Sequence, residues 1–159
     1  MPVPMKSDLL NHFLDQWRFL RSLTYDFIES TSELELRNSP SSAVSPLWKQ
    51  FRHVGRVQEN YLSALDSGMI KFTTEGCSYI GGSDKQQILL YLRELDEKLL
   101  ATIKSIDPAT SVDWFGEPLS LAKHLLCLAD HEVIHQGQWV VYRNIQGGKF
   151  PAKWSVWGL

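Results

Sequence analysis

At 159 residues and 43% hydrophobic side chains, the chain has the length of one domain, 1–159, and enough apolar material for a real core. Its formal charge of −2 is scattered, which excludes the basic face that nucleic-acid binding requires, and no apolar run approaches the ~20 residues of a membrane span. Met1 to Lys6 shows no signal-peptide core, and Cys77 and Cys127 are too few and too far apart for a disulfide framework, so a soluble cytoplasmic protein is expected.

From Ser7 to about Glu33, apolar residues recur at Leu10, Phe13, Trp17, Leu20, Thr24 and Phe27 or Ile28, the three-and-four spacing of one helical face. Ser7 or Asp8 can cap its start. After the polar stretch Asn38 to Ser42, a second helical pattern runs from about Ser45 to Asp66 through Leu47, Phe51, Val54, Val57, Tyr61 and Leu65. Pro46 suits its first turn and Gly68 its end. Gly55 is a poor mid-helix residue, costing about 0.5–1 kcal/mol against Ala, a cost consistent with close approach of a neighbouring helix or a ligand.

Met69 to Gly82 is long for a bundle loop and reads as a crossover connection, so simple up-down-up-down topology is not expected. Ser83-x-x-Gln86 is a capping-box signal opening a third helix, with Ile88, Leu92, Leu95, Leu99, Ile103 and Ile106 on one face and Pro108 closing it. The last helix begins near Pro118 or Leu119 and runs to about Gln146, where Gly147-Gly148 supplies a stop. Its apolar residues, among them Leu121, Leu125, Leu126, Val133, Ile134, Trp139 and Val141, surround most of its circumference, which predicts burial on several sides. Trp154 and Trp157, two of six tryptophans, predict that the tail docks on the body.

Within that last helix lies His131-Glu132-Val133-Ile134-His135. Residues four apart share a face, one turn of ~5.4 Å along the axis, so two imidazoles can meet one metal. In zinc proteases of this pattern the intervening Glu is the general base and a third ligand follows downstream. From Gln136 to Leu159 there is no Asp, Glu or His, so a zincin protease is not expected and a third ligand must lie upstream. His12, His53 and His124 are the candidates. His124 shares the stripe of His131, His135, Gln138 and Tyr142, but it stands roughly 10 Å up the axis from His131, too far to converge readily at Zn–N bonds of ~2.0–2.1 Å. It reads as a satisfied surface or interface histidine. Nothing around His12 marks a site. His53 lies at the flank of the second helix's apolar face and can turn inward.

His53 followed by Val57-Gln58-Glu59-Asn60-Tyr61-Leu62, together with Asp130-His131-Glu132-x-x-His135-Gln136-Gly137-Gln138 running on to Tyr142-Arg143, resembles the DinB/YfiT-like superfamily over nearly the whole chain. The resemblance implies an all-α fold, a four-helix bundle with a long crossover connection and non-sequential topology, commonly a homodimer. It implies a divalent metal, zinc or nickel first and manganese or iron next, on His53, His131 and His135. Gln136 departs from the family, which often has Arg there. Three neutral imidazoles leave coordination positions open, as metal-dependent chemistry requires. The resemblance further implies transfer of a small thiol (bacillithiol, mycothiol or glutathione) to an electrophilic substrate in detoxification or stress response; metal-dependent hydrolysis and metal binding without turnover are the alternatives.

Glu132 is open to three readings: a catalytic base, a partner orienting an imidazole, or a solvated charge, with the last two ahead. Gln138 and Tyr142 are candidates for contacting substrate, or for tying helices together. Cys127 reads as a small buried hydrophobe.

Overall fold

Four long helices and one hairpin account for the computed structural model, which describes residues 5–159; the reading of Met1 to Pro4 lies outside it. In chain order the elements are α1 (Met5–Ser30), the short α2 (Glu33–Arg37), α3 (Leu47–Ser67), α4 (Lys85–Ser105), β1 (Ser111–Trp114), β2 (Glu117–Ser120), α5 (Leu121–Ile145) and a 3-10 helix, Ala152–Trp157. Helices dominate, so the expectation of an all-α bundle holds.

Packing sets the topology. α1 lies between α4 and α5, and α3 lies between the same two on the opposite side, so that α1 and α3 are diagonal. Two apolar clusters fill the bundle, one at each end. Residues 13–20 of α1, 57–64 of α3, 99–103 of α4 and 121–129 of α5 share the first cluster. Residues 23–28, 47–54, 88–95 and 139–142 of the same helices share the second. α1 and α5 therefore run one way, and α3 and α4 the other. Because α3 and α4 are parallel neighbours, the chain between them must return along the whole of α3, about 31 Å for its 21 residues. The long segment after Gly68 makes that crossover. It is tied to α3 on the way, where Glu59 accepts from the Ser78 backbone N–H at 3.1 Å and Asn60 donates to the Thr73 carbonyl at 3.4 Å.

Gly55 is explained by this packing. A Cβ there would fall 2.1 Å from the ring of Tyr91 on α4, so it is the neighbouring helix, and not a ligand, that occupies the space.

Several local expectations are corrected. The first helix stops at Ser30, and Ser32 opens α2 with a capping box to Glu35. Ser7 and Asp8 lie inside α1 rather than capping it. Asp84, one residue after Ser83, caps α4 by accepting from the Gln87 N–H at 2.9 Å, while Ser83 accepts from Arg37 instead. Pro118 belongs to β2, and Ser120 caps α5. The unforeseen hairpin β1–β2 turns at Phe115 and Gly116, both with positive φ (56° and 95°), the backbone of a type I′ turn.

Trp154 docks as expected, fully buried with its indole N–H on the Leu23 carbonyl at 3.0 Å, but Trp157 is 42% exposed. α5 is not enclosed on all sides: Leu126, Val133, Ile134, Val141 and Ile145 are exposed. The two cysteines are free.

Candidate metal centre

Between the two apolar clusters the helices carry polar side chains, forming a polar waist. On one side of it is an ion network to which each long helix contributes. Arg21 of α1 pairs with Asp96 of α4 at 3.3 Å and with Glu132 of α5 at 3.8 Å, and donates to Gln58 of α3. Trp17 and Gln58 also donate to Asp96, at 2.9 and 3.1 Å, as does Tyr25. Thr24 donates to Glu132. Gln136 donates to the Leu20 carbonyl at 2.8 Å and to the Thr24 hydroxyl at 3.2 Å. Buried charges persist only when paired in this way.

Glu132 is thus neither a solvated charge nor among the residues that line the histidine cavity; it is 1% exposed and turned toward α1. Burial pushes its carboxyl pKa up, against the pull of Arg21. Gln136, where the family often has Arg, spends its amide on α1.

On the other side of the waist, α3 and the antiparallel α5 bring His53, His131 and His135 together. The Nε2 atoms of His131 and His53 are 3.3 Å apart, and those of His135 and His131 are 3.2 Å apart. Two nitrogens bound tetrahedrally at ~2.0–2.1 Å to one ion are separated by about 3.3–3.4 Å. The donor set therefore fits a divalent metal in both chemistry and spacing.

The imidazoles are held neutral, the form a ligand must have. Burial, helped by the neighbouring His135 and His53 and by Arg21, depresses the pKa of His131 to about 3. Burial and His53 depress that of His135 to about 4. Burial, then Arg56 and Arg52, lowers that of His53. Ring orientation comes from packing: His135 stands over Trp139, one turn on (ring centroids 6.5 Å apart), and Trp139 packs on Phe51 at 4.8 Å.

His53 and His135 open into a cavity of about 360 Å³, also lined by Ser45, Lys49, Gln50, Arg52, Arg56 and Gln138. Gln138 is exposed there. Tyr142 stands behind the rim, donating to the Ser45 carbonyl at 2.5 Å and meeting Gln50 at 3.5 Å. Lys49, Arg52 and Arg56 were not anticipated, although the signal was present: with His53 they stand at i, i+3, i+4 and i+7 of one helix, a single face.

His124 and His12 take no part. His124 accepts from the Trp114 indole N–H at 3.0 Å and meets the Tyr61 carbonyl at 3.1 Å, so both ring nitrogens are spent. It is completely buried, not at the surface. His12 is exposed and bonds to the Asp8 carbonyl on its own helix. Cys127 packs, half-buried, against the first apolar cluster.

Residues 16–139 match the family model of the DinB superfamily. The chain belongs to the DinB superfamily. Among solved structures, a DinB-like protein from Bacillus cereus shares the fold at a TM-score of 0.69 and 23% identity, covering 88% of this chain and 94% of its own. A DinB-like protein from Bacillus subtilis gives 0.67 and 16%, covering 92% and 97%. At those identities the likeness shows the fold alone. No curated protein matches the sequence.

Proposed function

We propose that this DinB-family chain binds one divalent metal through His53, His131 and His135 and uses it to transfer a small thiol to an electrophile, as a cytoplasmic detoxification or stress-response enzyme. The observation that supports this reading is the convergence of three neutral Nε2 donors, at metal-ligand spacing, beneath an open cavity. A divalent ion there, zinc or nickel first and manganese or iron next, supplies Lewis acidity that lowers the pKa of a thiol.

The protein's own residues do the rest. The three histidines bring no negative charge to the site, and Arg52 and Arg56 add positive charge beside it, so an anionic thiolate is favoured without a neighbouring carboxylate base. Glu132 serves instead to lock α5 to α1 through Thr24 and Arg21. Tyr142 fixes Ser45 and Gln50 at the rim, and Gln138 lines the cavity where the substrate would enter. The preference for thiol over water rests on the family resemblance.

The test offers metal-loaded protein an epoxide or haloaromatic electrophile with bacillithiol, mycothiol or glutathione, against metal-free protein. Metal-dependent conjugate formation supports the reading. Ester or amide hydrolysis without thiol would replace it with a hydrolase, and a bound metal with neither activity would leave a non-catalytic binding protein.

The exposed apolar strip of Leu126, Val133, Ile134 and Val141 on α5 supports a homodimer, since large exposed apolar patches mark interaction surfaces. Sedimentation of Ile134→Asp as a monomer beside a dimeric parent would bear this out.

A further inference from the structure

We propose that the cationic wall of the histidine cavity selects a thiol that carries carboxylates, gripping them with Arg52, Arg56 and Lys49 while the sulfur faces the histidines. The inference rests on the metal reading above and narrows its substrate.

The three cations share the cavity-facing side of α3 with His53, and among the described residues none of them is paired with a carboxylate. By contrast, Arg21 at the waist has two carboxylate partners. Lys49 and Arg52 pack against the Trp48 ring at 5.7 and 5.2 Å, which orders them without neutralising them. Uncompensated cations gathered in a cavity are a place for an anion, and the planar guanidinium fork matches a carboxylate in two parallel hydrogen bonds. About 360 Å³ is at the small end of ligand pockets, ~300–1,000 Å³, so the ligand is a small molecule.

Arg56 supplies a second argument. Its Nη2 lies 3.0 Å from Nδ1 of His53, and its buried Nε has no partner among the described residues. A neutral histidine that gives its Nε2 lone pair to a metal carries its proton on Nδ1. Two donors then face each other, since a guanidinium has no acceptor. With a metal on Nε2, His53 would no longer offer Arg56 an acceptor, and the cavity that Arg56 lines is where an incoming carboxylate would take up the freed N–H groups. Among the thiols considered, glutathione and bacillithiol carry free carboxylates and mycothiol does not, so the wall favours the first two.

The experiment measures affinities for metal-loaded protein by calorimetry at physiological salt, with mercaptosuccinate, 2-mercaptoethanol, succinate and inorganic phosphate as probes, and assays metal content in parallel. Mercaptosuccinate should bind at least about tenfold more tightly than 2-mercaptoethanol, and R52A and R56A should each erase about tenfold of that margin while keeping their metal. Succinate should bind detectably in the parent and more weakly in both variants. Equal affinity for the two thiols, an unchanged margin in both variants, or phosphate binding more tightly than succinate would overturn the proposal. Failure of the metal reading shows separately, as parent protein without metal; succinate binding to that protein, weakened by R52A, would still support the carboxylate wall, and its absence would overturn it.

Discussion

The waist of the bundle holds two polar clusters built by opposite rules. In the Arg21, Asp96, Glu132 network, charges face their counter-charges and hydrogen-bond donors. In the histidine cluster, three neutral groups point the same kind of atom at one another, 3.2–3.3 Å apart, next to unpaired cations. In the first arrangement each charge meets an opposite charge within the chain, although Arg21 Nη1 and Glu132 Oε2 have no hydrogen-bond partner among the described residues. The second makes chemical sense as a receptor, because three like nitrogens at that spacing can all turn their lone pairs to one cation. Residues one step apart on α5, His131 and Glu132, belong to different clusters because ~100° of rotation separates them.

If the network is structural, breaking it should cost the most stability and leave the other cluster's binding intact. Arg21→Met strands two carboxylates, one of them fully buried, and should cost ~3–5 kcal/mol of unfolding free energy. The folded fraction should retain its metal. Urea unfolding with a metal assay on the folded fraction checks both, and a cost under about 1 kcal/mol would erase the distinction between the clusters.

The histidine cluster should show the reverse behaviour. Its contribution appears only with metal present, about 2.7 kcal/mol at free metal 100-fold above Kd. Chelation should remove that increment from the parent and leave His135→Ala unaffected, as read by thermal unfolding with and without chelator.

His124 sharpens the contrast, being a histidine of the same helix placed under the first rule. His124→Ala strands the Trp114 N–H and the Tyr61 carbonyl and should cost ~1–3 kcal/mol with no loss of metal. Metal loss equal to that of His135→Ala would contradict the assignment.

Acid supplies a further contrast. In the chelated protein the folded pKa values of His131 and His135, about 3 and about 4, lie below the unfolded value near 6.5. The unfolded chain therefore binds more protons in that window, and stability should fall as pH drops from about 6.5 toward 4. Replacing both residues with Gln should reduce that fall, as read from the denaturant midpoint across the range.

How much of this was legible depended on the range of the forces involved. The four long helices follow from apolar spacing, and the crossover from the length of Met69 to Gly82, because both are local. The pair His131 and His135 is likewise a matter of helical pitch, and the resemblance supplied His53. The hairpin escaped because its turn is Phe115-Gly116, with a non-glycine residue at positive φ, in place of the Asn-Gly or Asp-Gly that marks such turns. The error over His124 followed, since Trp114, one of the groups that bury and satisfy it, stands on that hairpin. The short α2 was readable from Ser32 and Glu35, an S-x-x-E cap. The pairing of Glu132 was not readable, because Arg21 and Thr24 are distant in sequence. The apolar ring of α5 signalled burial, yet within one chain much of its outer face stays exposed.

Metal analysis of untagged protein, parent beside His53→Ala, His131→Ala, His135→Ala and His124→Ala, tests the central claim most directly. The parent and His124→Ala should each hold about one divalent ion per chain at neutral pH, and the other three should fall about tenfold or more below that. A parent that binds no ion when offered one, or a His53→Ala variant that holds as much as the parent, would contradict the three-histidine centre.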